Sequence, residues 1–365
     1  MKPYIPDPLP LECLDYGQLI GLVGQANAEI ARYDGLLQGI VNPAILLSPL
    51  TTQEAVLSSR IEGTQATLDE VLEHDAGFIA DGNQDIHEVI NYRAALRTAT
   101  SQLKARNITL GLLKDMHRLL MDSVRGQDKD PGLFRVDQNW IGTQGTPIEE
   151  ATFVPPNPLQ LIDHLEAWER YVQSNDVDFL IQMAVIHAQF ELIHPFKDGN
   201  GRIGRLLIPL FLYSKGVLSS PMFYLSGYLE SHRDQYYEHL RLISSDKDWN
   251  SWVVFFLEVV IQQAKDNADK VHRILELYEE MKTVFAQVTR SQYAIQSLDA
   301  IFDKPIFKTS DFIERTTINK KTGLAILAQL KEANILDTIR EASGRRPAIL
   351  IFPQLINLAE GKNVA

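Results

Sequence analysis

The sequence predicts a mainly α-helical protein that ends in a smaller module of different texture. Three observations carry that prediction. Apolar residues recur at helical spacing over long stretches, as in Leu180, Met183, Ala184, Ile186, His187 and Phe190. Alternating, strand-like runs before residue 290 are few and short, Phe134 to Gly142 and Ala151 to Val154. From Ser291 onward, short helical stretches precede two short strands around a polar turn.

Taken in order, residues 1–14 carry Pro3, Pro6, Pro8 and Pro10 and are expected to form an extended arm. Leu19, Leu22, Val23, Ala26, Ile30 and Tyr33 mark an amphipathic helix from Asp15 to about Leu37. Thr51 and Glu54 have capping-box spacing, so a helix is expected from Thr51 to about Glu73. It contains Ser58 and Glu62, at i and i+4 on one face, followed by Gly63. A glycine inside a helix costs roughly 1 kcal/mol against alanine and asks for a reason. By themselves, the serine and glutamate read as a solvated pair on a surface helix.

Helices follow over His87 to Lys104 and Leu110 to Val124. Phe134 to Gly142, the turn residues through Pro147, and Ala151 to Val154 read as a β-hairpin closed by Pro155 and Pro156. Leu159 to Gln173 and about Val177 to His194 are again helical. On the second of these, His187 and Glu191 read as a buried imidazole and a helix-surface charge. Further helices span Tyr228 to Leu242 and Asp248 to about Thr289, whose Trp249, Trp252, Phe255 and Phe256 read as core.

The chemistry concentrates between His194 and Arg205, His-Pro-Phe-Lys-Asp-Gly-Asn-Gly-Arg-Ile-Gly-Arg, a loop that opens an apolar helix. The first N–H groups of a helix lack internal partners and attract anions. Gly199 and Gly201 allow close approach of a phosphate, with Asn200 between them. Arg202 and Arg205 share one helical face and suit phosphate oxygens. Asp198 is a hard ligand for Mg²⁺, which takes few carboxylates and completes its shell with phosphates and water. His194 titrates near neutrality and is a natural general base, and Phe196 is expected to turn inward and anchor the loop.

The segment resembles the signature of the Fic family, His-x-Phe-x-Asp/Glu-Gly-Asn-Gly-Arg-x-x-Arg, and matches it at every fixed position. The resemblance implies a protein adenylyltransferase that moves AMP from ATP to a Tyr, Thr or Ser hydroxyl of a target protein. Asp198 would hold Mg²⁺; Gly199, Asn200 and Gly201 would cradle phosphates; Arg202 and Arg205 would hold the β- and γ-phosphates; His194 would take the proton. The related Doc toxins phosphorylate and carry lysine where this chain has Gly201, so the glycine favours AMP transfer. Ser58, Glu62 and Gly63 resemble the family's inhibitory motif, in which the glutamate pairs with the second signature arginine, here Arg205. The hairpin resembles the family's flap, which holds the target by strand addition.

The C-terminal stretch resembles a winged helix-turn-helix. It holds ten Lys or Arg against eight Asp or Glu. Lys320, Lys321, Arg345 and Arg346 stand where a DNA-reading helix and wing would present them. A DNA-binding role and a protein-interaction or dimerisation role both stay open. The implied fold is a Fic-type helical bundle with a small β-hairpin flap plus a C-terminal winged helix-turn-helix. The expected layout is an N-terminal helical extension with the inhibitory helix (1–80), a Fic catalytic domain (81–289) and a winged-helix domain (291–365). Expected partners are a target protein (which can be the enzyme itself), DNA, and a second copy in a homodimer. Two alternatives compete. One is removal of AMP, with Glu62 orienting water. The other is a DNA-binding regulator whose Fic domain acts as a sensor.

Composition narrows the setting. A formal charge of −12 argues against nucleic-acid or anionic-membrane binding by the whole surface. The single Cys13 excludes an internal disulfide and fits a reducing compartment. No zinc-ligand spacing occurs, and no uncharged apolar run approaches the ~20 residues of a membrane span. With no apolar signal region at the start, the expectation is a cytoplasmic protein with no membrane contact.

Overall fold

The computed structural model describes residues 2–78, 83–122, 124, 128–142, 147–344 and 346–361. After the extended arm, α1 (Tyr16–Gln38) is capped by Asp15, whose carboxylate accepts from the Gly17 and Gln18 N–H groups. It is followed by α2 (Pro43–Leu46), α3 (Ser48–Ile61) and α4 (Leu68–Asp75). The helix expected through Glu73 is broken. Gly63 takes φ +98°, a left-handed turn that ends α3 at Glu62, which accounts for the glycine. Thr51 lies inside α3 rather than capping it, and the capping box present is Thr67 with Glu70 at the start of α4.

The bundle continues with α5 (Gln84–Leu103), α6 (Leu110–Leu120), α7 (Leu161–Gln173), α8 (Phe179–Ile193) and α9 (Asn200–Ser214). Every residue of α8 except Phe179 and Glu191 is buried, as expected of a helix apolar on all sides. The stretch from Tyr228 divides into α10 (Ser226–Ser231) and α11 (Arg233–Asp246) before the long α12 (Trp249–Thr289). Trp249, Trp252, Phe255 and Phe256 are core, and the Trp252 indole donates to the Ala184 carbonyl of α8 at 2.9 Å. Among the described residues, the expected hairpin is reduced to one antiparallel bridge between Ile141 and Phe153; residues 143–146 lie outside the description.

The C-terminal module comprises α13 (Ala294–Asp303), β1 (Ile306–Lys308), α14 (Thr309–Thr316), α15 (Lys320–Glu332), β2 (Asp337–Arg340), β3 (Ile349–Ile351) and α16 (Pro353–Glu360). Its antiparallel sheet has the order β1-β3-β2, with Leu350 opposite both Phe307 and Thr338. The strand β1 and the helix α16 went unread in the sequence. The module packs onto the N-terminal extension: α13 meets α2, α16 meets α3, and β1 meets α4. No helix among the described residues is long and apolar enough to cross a membrane.

Candidate functional site

His194 ends α8 in the left-handed region, φ 49° and ψ 62°, with its N–H donating to Phe190 O at 3.0 Å. That conformation is unfavourable for a non-glycine residue and needs support from its surroundings. Arg135, itself 2% exposed, supplies it. Its guanidinium donates to His194 O at 2.9 Å, Pro156 O at 2.6 Å and Ile193 O at 3.3 Å. The His194 Nδ1 lies 3.3 Å from Glu191 O. A proton on Nδ1 given to that carbonyl leaves the lone pair on Nε2, the tautomer a base requires. Burial pushes the imidazole down to about 4, so it is neutral at physiological pH.

The loop after His194 is held from within. Phe196 is fully buried and stacks on His117, with ring centroids 3.8 Å apart. Asn200 accepts from the Phe196 N–H and donates to the Phe196 carbonyl, both at 2.9 Å, which makes it a staple of the loop. His117 accepts from the Gly132 N–H through Nδ1 at 2.8 Å and holds Asp198 O through Nε2 at 3.0 Å. Gly199 has φ +76°, and a Cβ there would meet Met121 Sδ at 3.0 Å, so both backbone and space call for glycine.

The two signature arginines part company. Arg202 is 2% exposed and donates to Glu88 Oε2 at 2.9 Å, an oxygen that also accepts from Thr64 Oγ1 at 2.9 Å. Glu88→Ala should therefore cost roughly 3–5 kcal/mol, the usual loss when one partner of a buried pair is removed. A lower denaturant midpoint at unchanged m would show it. Arg205, equally buried, turns toward α3. It donates to Ser58 Oγ at 2.9 Å, to Ser58 O at 2.9 Å and to Glu62 Oε1 at 2.7 Å. Burial works to raise the Glu62 carboxyl, but the Arg205 guanidinium outweighs it and holds the group below its ordinary range.

These pieces meet at a cavity of about 610 Å³, lined by His194, Gly201, Arg205 and Glu62 on one side. Ile141 and Phe153 of the bridge and Arg233, Tyr236, Tyr237 and Arg241 of α11 close the rest. Asp198, Gly199, Asn200 and Arg202 stand outside that lining. The Glu62 carboxylate sits over the start of α9; a Cβ on Gly201 would lie 2.2 Å from its Oε1. An anionic oxygen thus already rests where a helix N-terminus and a guanidinium favour one.

Glu191, expected as a surface charge, lines the same cavity with one oxygen buried. Burial pushes it up to about 8, and Glu62 adds to that against Arg205. His187 is a buried imidazole, bonded to Gly204 O and the Tyr236 hydroxyl. Sequence reasoning missed Arg135, His117 and Glu88, which carry no motif. It also missed the α11 face, although Arg233, Tyr237 and Arg241 recur at every fourth position.

Among the described residues no group of three metal-ligating side chains occurs. Asp198 has its side chain 41% exposed, with Oδ1 accepting from the Gly199 N–H at 2.5 Å and lying 3.7 Å from the Arg202 guanidinium. A single half-buried carboxylate with its second oxygen open fits Mg²⁺ in the form that takes most of its ligands from phosphates and water.

A helix–loop–helix that brings a histidine and a glycine-rich helix start to one cavity, inside a bundle of this layout, defines a Fic fold. A Fic family protein from Desulfovibrio desulfuricans has it at TM-score 0.61 and 19% identity, over 96% of this chain and 98% of that one. A Fic domain containing signaling protein from Bacteroides thetaiotaomicron has it at TM-score 0.55 and 16% identity, over 68% and 97%. The Fic/DOC family N-terminal pattern matches residues 20–101 and the Fic/DOC family pattern residues 107–212. The chain belongs to the Fic/DOC family. It is 29% identical over 200 residues to the protein adenylyltransferase Fic of Aedes aegypti, 53% of this chain and 34% of that protein. With the Drosophila grimshawi protein of the same name it shares 28% over 228 residues, 60% and 41% of the two lengths. The match thus spans well under half of these relatives' own length.

Proposed function

We propose that the protein transfers AMP from ATP to a Tyr, Thr or Ser hydroxyl of a target protein, and that Glu62 holds it in a low-activity state. The observation that supports this most is the placement of His194, Gly201 and Arg205 around one cavity with a carboxylate on the anion seat. His194 Nε2 accepts the hydroxyl proton as that oxygen bonds to the α-phosphorus. The bond from the α-phosphorus to the bridging oxygen breaks, and pyrophosphate leaves. The N–H groups at the start of α9 bind phosphate oxygens, and Arg205 joins them once Glu62 withdraws. Asp198 would hold Mg²⁺, which spreads phosphate charge when bound. Arg202 acts from the second layer, keeping the start of α9 fixed through Glu88.

The target side is supported by apolar residues left in solvent beside the site: Val136 is 77% exposed, Trp140 43% and Ile141 43%. They belong to the segment that carries the Ile141–Phe153 bridge, where an added strand would lie. Incubation with Mg²⁺ and ATP labelled on the α-phosphate, with cell lysate as target, tests the reading. Label on protein bands with release of pyrophosphate is expected; loss of label from a pre-modified protein instead would point to AMP removal.

The C-terminal module supports a second binding role. Lys320 and Lys321 are exposed in the first turn of α15, and Arg346 is exposed between β2 and β3; Arg345 lies outside the described residues. If these residues meet DNA phosphates, affinity for genomic fragments falls steeply with salt, and Lys320→Ala makes that slope shallower. No retardation of any fragment at low salt would leave the protein-interaction role.

A further inference from the structure

Glu54, Ser58 and Glu62 stand four apart and share the inner face of α3. The last two hold Arg205; Glu54 holds something else. It is 5% exposed, with Oε1 accepting from Ser226 Oγ at 2.6 Å and from the Tyr92 hydroxyl at 3.4 Å. Its Oε2 accepts from the Ser226 N–H at 3.1 Å. Ser226 opens α10, so that N–H has no partner within its own helix. One buried carboxylate on α3 thereby ties the helix to α10 and α5, neither of which bears the signature. The neighbouring turn adds weaker ties: Thr51 Oγ1 to the Tyr224 hydroxyl at 2.6 Å, and Arg93 to Thr52 Oγ1 at 3.0 Å.

We propose that Glu54 is a positioning residue for inhibition: it fixes the rotation and register of α3, so that Glu62 at the helix end lands on Arg205 and over Gly201. The physical reason is leverage with direction. Eight residues of helix span roughly 12 Å, so a small slip or roll at Glu54 carries the Glu62 carboxylate off a 2.7 Å contact. A buried carboxyl is costly to maintain, and a neutral residue would serve better if only packing were needed. Its hydrogen bonds are directional, whereas apolar packing of α3 against α10 and α5 would tolerate sliding. Burial pushes the carboxyl up to about 7, with the Ser226 bonds and Arg205 opposing.

The inference rests on the reading that Glu62 inhibits, and the test separates the two. AMP transfer is measured on the full chain at fixed ATP for wild type, Glu62→Gln, Glu54→Ala, and the double variant. Glu54→Ala is expected to raise transfer several-fold, and in the Glu62→Gln background to add little, because the ion pair that it would misplace is already gone. A merely structural role would lower the rate in both backgrounds. Should Glu54→Ala fail to fold, Ser226→Ala removes only the 2.6 Å bond and is expected to raise transfer in the same way. If Glu62→Gln is faster than wild type while neither Glu54→Ala nor Ser226→Ala is, the anchor is wrong and autoinhibition stands. If Glu62→Gln is no faster, both fall.

Discussion

His194→Ala is expected to lower AMP transfer by roughly 10²–10⁴-fold, the usual contribution of a positioned general base. ATP binding should stay near that of wild type, because the loop is held by Arg135, Asn200 and His117 rather than by the imidazole. Alanine tolerates the left-handed backbone at position 194 poorly, so His194→Asn is the companion variant, asparagine being at ease there. Initial rates of label incorporation decide the matter, and near-normal transfer by either variant removes His194 from the base role. The pH profile adds a signature. An imidazole pushed down to about 4 by burial is already deprotonated at neutrality. The part of the rate that depends on His194, wild type less His194→Asn, should therefore show no break near 6.5 and should fall as the pH drops toward 4, where protonation takes away the Nε2 lone pair; Glu54 and Glu191, pushed up to about 7 and about 8, titrate in both chains alike. A break near 6.5 in that difference would mean a solvated histidine.

Removing the Glu62 carboxylate is expected to raise transfer by roughly ten- to a hundredfold. A charged hydrogen bond is worth roughly 1.5–3 kcal/mol, and each factor of ten in rate corresponds to about 1.4 kcal/mol. Two variants are informative. Glu62→Gln keeps the shape and removes the charge. Glu62→Gly removes the whole side chain, and it falls at a helix end where Gly63 already turns the chain, so the helix itself loses little. Both should label a target faster than wild type over a range of ATP concentrations, and Glu62→Gly combined with Arg205→Ala should be inactive. Rates no higher than wild type for both single variants would remove inhibition by α3.

The helices and the signature were legible in the sequence because their signals are local. Periodicity marked α1, α8 and α12 to within a residue or two, and every signature residue lies within one twelve-residue segment. Local signals misled where tertiary contacts took over. The Thr51–Glu54 spacing looked like a cap, but Glu54 is drawn to Ser226, more than 170 residues away. Arg202 and Arg205 look alike in sequence, yet Glu88 buries one away from the cavity and Glu62 holds the other at its wall. Arg135 was invisible because its partners are backbone carbonyls, which have no letter in the sequence. Glu191 was read as a surface charge because a single glutamate on an apolar helix does not say which neighbour leaves room for it. That neighbour is Gly204, where a Cβ would stand 2.1 Å from the Glu191 carboxylate.

Gly201 makes two remote positions depend on each other. Its φ lies outside the left-handed region, so the backbone does not demand glycine there. The demand comes from the Glu62–Arg205 pair: a Cβ at 201 would lie 2.2 Å from Glu62 Oε1 and 2.9 Å from Arg205 Nη1. A side chain at 201 and an inhibitory carboxylate at 62 compete for one volume. The order of mutation then matters: a chain that first loses Glu62 frees Arg205 to shift and can accept a side chain at 201, whereas one that first gains the side chain must move the carboxylate and leave Arg205 to its Ser58 bonds. Across descendants of this sequence, substitutions at the two sites should arise in that order and remain associated, although 139 residues separate them.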